Sequence, residues 1–160
     1  MVFKNEAELK KHILAKCKNA IIKSQAQVYQ IIDRFVKQFY AEFTPEMYDR
    51  TYQLFQSLVK GDIKSTPNGY EAYVYFDVDM LDHYVHTIKV NGKTYSYSGK
   101  HDWSEQDILD NALTGSLPHG GYAGAGGQSI WNEALSVLNT EAIEVLKRML
   151  ISEGIPISKR

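Results

Sequence analysis

The stretch NEAELKKHILAKCKNAIIKSQAQVYQIIDRFVKQFYAEF, residues 5–43, holds neither proline nor glycine. Its apolar residues recur at Leu9, Ile13, Leu14, Cys17, Ile21, Val28, Ile31, Ile32, Phe35, Val36, Phe39 and Phe43, the three-and-four spacing of one helix face. That spacing predicts a helix of about 38 residues, roughly 57 Å long at 1.5 Å per residue, which is more than a domain of this size needs to cover a sheet. The stripe is narrow in the first half and broad where Ile31, Ile32, Phe35, Val36 and Phe39 crowd together, so the second half is expected to carry the core packing. The first half is expected either to kink or to reach a partner. Leu14, Ile21, Val28 and Phe35 also form a seven-residue seam, but Ser24 and Gln38 stand where a coiled coil needs its complementary apolar positions.

Thr44 and Pro45 end this element, because proline disfavours helix in the residue before it and suits the first turn of a new one. A short helix is expected between Pro45 and Val59. After Gly61 the pattern turns to strand: Asp62–Ser65, a turn at Thr66-Pro67-Asn68-Gly69, and Tyr70–Phe76 read as a hairpin. A second hairpin is sharper, since Asn91-Gly92 between Val85–Val90 and Lys93–Ser98 is the preferred type I′ turn. Ser104 and Asp107 suit the start of a short helix from Trp103 to about Ala112. Residues 115–127 hold six glycines and read as a flexible loop, after which Ser129-Ile130-Trp131 is expected to rejoin the sheet. A last helix begins at Asn139 as cap and stops at Gly154 and Pro156. Helices at both ends of an antiparallel β region indicate an α+β fold in one domain, residues 1–160.

Composition bounds the chemistry. At 160 residues, 44% hydrophobic and 23% charged, the chain has the profile of a soluble globular domain. It has no apolar run of membrane-spanning length and no apolar region near its N-terminus of the kind that marks a secretory signal, so the expected location is cytoplasmic with no membrane partner. A single cysteine, Cys17, excludes an internal disulfide and a multi-cysteine zinc site, and on the apolar helix face it is expected to be an inert buried thiol. The net charge of −1 hides an uneven distribution. Residues 1–40 carry eight Lys or Arg against three acids, whereas residues 61–127 carry nine acids against four bases. Opposite charge on two faces suits head-to-tail contacts between identical subunits, and it equally suits a solvated helix and acidic loops.

No catalytic constellation emerges. Asp77, Asp79, Asp82, His83 and His86 form the densest set of potential metal ligands, with His83 and His86 spaced to share a helix face, yet they match no standard metal motif. The segment His119-Gly120-Gly121-Tyr122-Ala123-Gly124 lacks the Gly-Lys-Ser/Thr of a phosphate-binding loop and reads as a mobile docking loop with Tyr122 as its one large anchor, ordered only on docking. No Gly-x-Ser-x-Gly elbow is present. The tyrosines between Tyr70 and Tyr97 suit either sheet packing or an aromatic protein interface, and the surrounding acids disfavour specific nucleic-acid binding. The expectation is a binding protein, not an enzyme, with no metal and no cofactor.

Residues 40–57 read Tyr40-x-x-Phe43-x-Pro45-x-x-Tyr48-x-Arg50-Thr51-x-x-Leu54-x-x-Ser57. This run resembles the segment that follows the N-terminal helix in the tail-completion, or head–tail joining, minor tail components of long-tailed bacteriophages. The order of the remaining parts is similar: a long first helix, a central β region, the His119-Gly120-Gly121 loop, the Ile130-Trp131 pair and a last helix ending at Gly154-Ile155-Pro156. Residues 83–103 look like an insertion relative to that family pattern. The resemblance implies a virion protein of the tail or neck, made in the host cytoplasm, monomeric when free and a ring, usually sixfold, when assembled. Its implied partners are the head connector and the tail-tube proteins. Tyr40, Phe43, Pro45, Tyr48, Arg50, Thr51 and Leu54 would then shape the fold or an interface, and His119, Gly120, Gly121, Tyr122 and Gly124 the docking loop. A small phage or prophage inhibitor of a host enzyme is the alternative, and a metal-dependent hydrolase the third reading.

Overall fold

Asn5 starts the first helix, α1 (Glu6–Glu42): its side-chain oxygen accepts from the Glu8 amide at 2.9 Å, and the Glu8 carboxylate accepts from the Lys4 amide at 3.0 Å. The Asn5 cap satisfies an amide that a helix start otherwise leaves unpaired, Glu8 also holds the Lys4 amide just before the helix, and Glu6 and Glu8 complement the positive end of the helix dipole. The structure, a computed structural model, describes residues 2–42, 53–81, 83–100, 109 and 127–157. Within those residues α1 is followed by α2 (Gln53–Ser57), β1 (Leu58–Lys60), β2 (Lys64–Thr66), β3 (Gly69–Glu71), β4 (Val74–Phe76), a 3₁₀ turn (Val78–Leu81), β5 (His83–Val90), β6 (Lys93–Lys100) and α3 (Gly127–Ser152). The fold is α+β. Its strands form three two-stranded pieces among the described residues, β1 with β4, β2 with β3 and β5 with β6.

The chain divides into two compact units. One comprises Met1–Ile31, Lys60–Val74 and Ser136–Arg160; the other comprises Ile32–Val59 and Tyr75–Leu135. In the first, Ala20, Ser24 and Val145 are buried, and the Ser24 hydroxyl donates to the Ala20 carbonyl at 2.8 Å, which satisfies a polar group that would otherwise be costly to bury. In the second, Ile32, Phe35, Val36, Leu54, Leu58, Leu81, Leu109 and Ala134 are buried. The broad half of the α1 stripe thus supplies core as expected, with Ile31 only half-buried. The helix runs through its 37 residues without a break, and Leu9 and Ile13 stay exposed on its first half. Cys17 is half-buried, not fully buried as expected.

Four further expectations need correction. Ser129-Ile130-Trp131 does not return to a strand, and Asn139 does not cap the last helix, because α3 already begins at Gly127 and runs through both. Trp131, Ala134, Leu138, Val145 and Met149 continue one helical period across Asn139-Thr140, and the Thr140 hydroxyl turns back onto the Ser136 and Val137 carbonyls at 3.0 Å instead of breaking the helix. The expected strand Tyr70–Phe76 is split at Ala72-Tyr73: β3 pairs with β2 in the register Lys64↔Glu71, Ser65↔Tyr70 and Thr66↔Gly69, and β4 leaves for β1. His83 and His86 lie on β5, so the three-residue spacing that would unite them on a helix face does not apply.

The remaining turns follow the residue chemistry. Asn91 at φ 50° and Gly92 at φ 75° make the hairpin turn between β5 and β6. At the end of α3, Gly154 at φ 76° closes a Schellman motif in which the Ile155 amide reaches the Leu150 carbonyl at 3.0 Å and the Gly154 amide the Ile151 carbonyl at 2.8 Å. Of the short helix expected after Trp103, Leu109 alone is described, and it is helical and buried.

Candidate functional site

Of the motif residues carried by the phage-tail resemblance, Tyr40 lies at the end of α1 and Leu54 in α2. Tyr40 lies in the last turns of α1, half-buried, its ring edge-on to Phe39 with centroids 5.6 Å apart. Leu54 is 7% exposed, so it builds the fold. Phe43, Pro45, Tyr48, Arg50 and Thr51 lie outside the described residues, as do His119, Gly120, Gly121, Tyr122 and Gly124 of the docking loop. Around Leu54 the local structure is tightly tied. The Ser57 hydroxyl donates to the Leu54 carbonyl at 2.9 Å, and the Asp77 amide donates to the Ser57 carbonyl at 2.7 Å, which holds the 3₁₀ turn against α2. Lys37 spans an ion pair with Asp33 at 2.7 Å and the Phe55 ring at 5.5 Å, and Phe76 meets Trp131 edge-on at 6.1 Å.

The other unit contains an arrangement that pattern reading did not find. The Gln25 side-chain amide donates to the Gly61 carbonyl at 2.7 Å and to the Tyr73 carbonyl at 2.9 Å, and the Gly61 amide donates to that same Tyr73 carbonyl at 2.9 Å. One side chain of α1 therefore closes the base of the β2–β3 hairpin. Lysines lie over tyrosine rings beside it: Lys60 over Tyr29 at 5.3 Å, Lys64 over Tyr73 at 5.5 Å and Lys18 over Tyr70 at 5.9 Å. A hydrogen bond from the Tyr73 hydroxyl to Glu71 raises the tyrosine above its ordinary pKa, with burial and the negative carboxylate acting in the same direction. The available signal was Gln25 itself, a polar amide between Ile21 and Val28 at apolar spacing.

Among the described residues no three or more of His, Cys, Asp and Glu converge on a possible metal position, and Asp82 and the side chains of His83 and His86 lie outside that description. No helix among the described residues is long and apolar enough to cross a membrane.

The family model YomN matches residues 5–151, from the cap of α1 to the last turn of α3. The chain belongs to the YomN family. YomN is of phage or prophage type, so the protein is phage-derived. The YomN match spans both units and includes the β5–β6 hairpin. Nothing among the curated proteins or the solved structures matches the chain.

Proposed function

We propose that this YomN-family protein is a structural component of the virion that completes the tail and joins it to the head connector, as a ring of identical subunits. The reading is carried by one coincidence: the phage-type family membership over residues 5–151 goes together with the Tyr40-to-Ser57 pattern of tail-completion proteins. The long α1 with Leu9 and Ile13 uncovered, and the opposite charges of the two chain regions, support contacts with other subunits. Work by binding, not catalysis, fits a chain whose recognisable features are surfaces. The protein would be made in the host cytoplasm and end in the neck or tail, with the connector and tail-tube proteins as neighbours.

Deleting the gene from the phage or prophage that carries it provides the test. The expected lysate contains heads and tails that remain unjoined in electron micrographs, and supplying the chain from a plasmid restores joined particles. Normal joined particles without the chain would refute the reading. A stable stoichiometric complex with a host enzyme, in place of connector or tail-tube components, would establish the inhibitor alternative.

A further inference from the structure

The β5–β6 hairpin is a ribbon of two eight-residue strands in unbroken register, from His83↔Lys100 to Val90↔Lys93. Each strand extends roughly 27 Å at 3.4 Å per residue. No third strand pairs with either edge among the described residues. A lone two-stranded ribbon is at best marginally stable in water, so a surface that covers it contributes to its order.

The register sorts the ribbon into two unlike faces. Opposed residues share a face, which places Tyr84, Ile88, Val90, Tyr95 and Tyr97 together at positions opposite Gly99, Tyr95, Lys93, Ile88 and His86. The alternate positions are those of His83, Val85, Thr87 and Lys89 with Thr94, Ser96, Ser98 and Lys100. Near the tip of the first face Val90, Lys93 and Tyr95 are exposed, Val90 48% and Tyr95 49%. From His83 to Lys100 there are three lysines and no acid.

The acidic counterpart lies just before the ribbon in the chain. Tyr75 is 49% exposed and Met80 39%, with Asp79 exposed between them. The backbone beneath them is anchored by the buried Leu81 and by the Asp77 amide on the Ser57 carbonyl. Segment 61–82 as a whole has five acids and one lysine. Exposed Tyr75, Asp79 and Met80 lie within six residues of chain and suit as partner a ribbon face that carries Val90, Lys93 and Tyr95, since aromatic residues and an adaptable thioether favour interface cores and Asp79 complements Lys93.

We propose that the β5–β6 ribbon is an arm whose Tyr95–Val90 face docks on the Tyr75–Met80 surface of a second copy of this chain. Arm and dock are different surfaces, so the contact is heterologous and can propagate around a ring. Arm-to-arm pairing along β6 is disfavoured, because a symmetric antiparallel match sets Lys93 directly opposite Lys100 of the other copy. Duplex DNA is the lesser match, because the exposed face offers one lysine, Lys93, beside apolar groups that make no phosphate contact. The proposal names the subunit contact of the ring reading and rests on it for its biological setting.

The test uses the full chain with Cys17→Ser as background. Tyr95→Cys and Met80→Cys proteins, mixed under a mild oxidant, are expected to give a disulfide-linked dimer and nothing longer. Each alone is expected to stay uncrosslinked, and the double variant to give a ladder of multimers. In sedimentation, Val90→Asp with Tyr95→Asp should weaken self-association by about tenfold or more, as for central interface residues, with an unchanged circular dichroism spectrum. Cross-linking of Tyr95→Cys protein by itself, no cross-linking in the mixture, or loss of duplex-DNA binding as the sole effect of the arm substitutions would overturn the proposal. Specific cross-linking in a protein whose deletion leaves tails joined would keep this contact and sink the tail reading; the reverse result would do the opposite.

Discussion

Lys16 donates a hydrogen bond from its Nζ to the backbone carbonyl of Glu153, 137 residues further along the chain. Lys23, two turns on in α1, pairs with the Glu153 carboxylate. Two cations of the first helix therefore sit at the C-terminal end of the last one, where unpaired carbonyls and the negative end of the helix dipole favour positive charge. Gly154 makes room for this, since a Cβ there would stand 3.3 Å from the Lys16 ammonium.

Gly154→Ala should destabilise the protein by about 1–2 kcal/mol, because alanine is disfavoured at φ 76° and its methyl would crowd Lys16. Ser152→Ala, one turn position away on an exposed residue, should have a small effect. Urea melts of the two variants check this; equal midpoints would contradict the role given to Gly154.

The Glu153 contact predicts a pH dependence of defined sign. The Lys23 hydrogen bond, above all, holds the Glu153 carboxyl below its ordinary value; burial opposes it, and the Lys23 charge, the Asn19 hydrogen bond and the Lys16 charge add to the lowering. A carboxyl depressed in the folded state stabilises the fold above the ordinary value of 4.5, and the contribution disappears as the pH falls through the folded-state value. Glu153→Gln should therefore be less stable than the parent at pH 7, with the gap narrowing in acid. A gap that stays constant from neutral to strongly acidic pH would show that the charge is not the cause.

Ile32→Asp should cost roughly 3 kcal/mol or more, since Ile32 is 6% exposed and the new carboxylate would lack a partner. Lys11→Asp, on the exposed first half of α1, should stay within about 0.5 kcal/mol. Equal losses in thermal melts would overturn the division of α1 into a packed half and an uncovered half.

Gln25→Ala should cost about 1–3 kcal/mol by leaving the Gly61 and Tyr73 carbonyls short of a donor. Gln25→Glu should be worse at neutral pH, because a carboxylate would face two carbonyl oxygens. Hydrogen exchange should show faster exchange of the Gly61 amide in both variants, and unchanged protection there would remove Gln25 from the hairpin base.

The parts legible in the sequence are those set by neighbours along the chain. Absence of proline and glycine between Asn5 and Phe43 with a regular apolar period is enough to make α1, and Asn91-Gly92 is enough to turn β5 into β6, because positive φ is cheap only for such residues. Gly154 and Pro156 stop α3 for the same kind of reason. Tertiary structure decided what local preference left balanced. Asn139 and Thr140 look like a helix start, yet burial of Ala134 and Val145 on either side carries α3 straight through them. Tyr70–Phe76 looks like one strand, yet its carbonyl at Tyr73 is claimed by Gln25, 48 residues away, and the strand changes partner there. Lys16 and Glu153 each look like ordinary surface charges until the fold brings them together. Such pairings gain their free energy only after distant segments have met, and a linear pattern of residue types does not encode which segments those are.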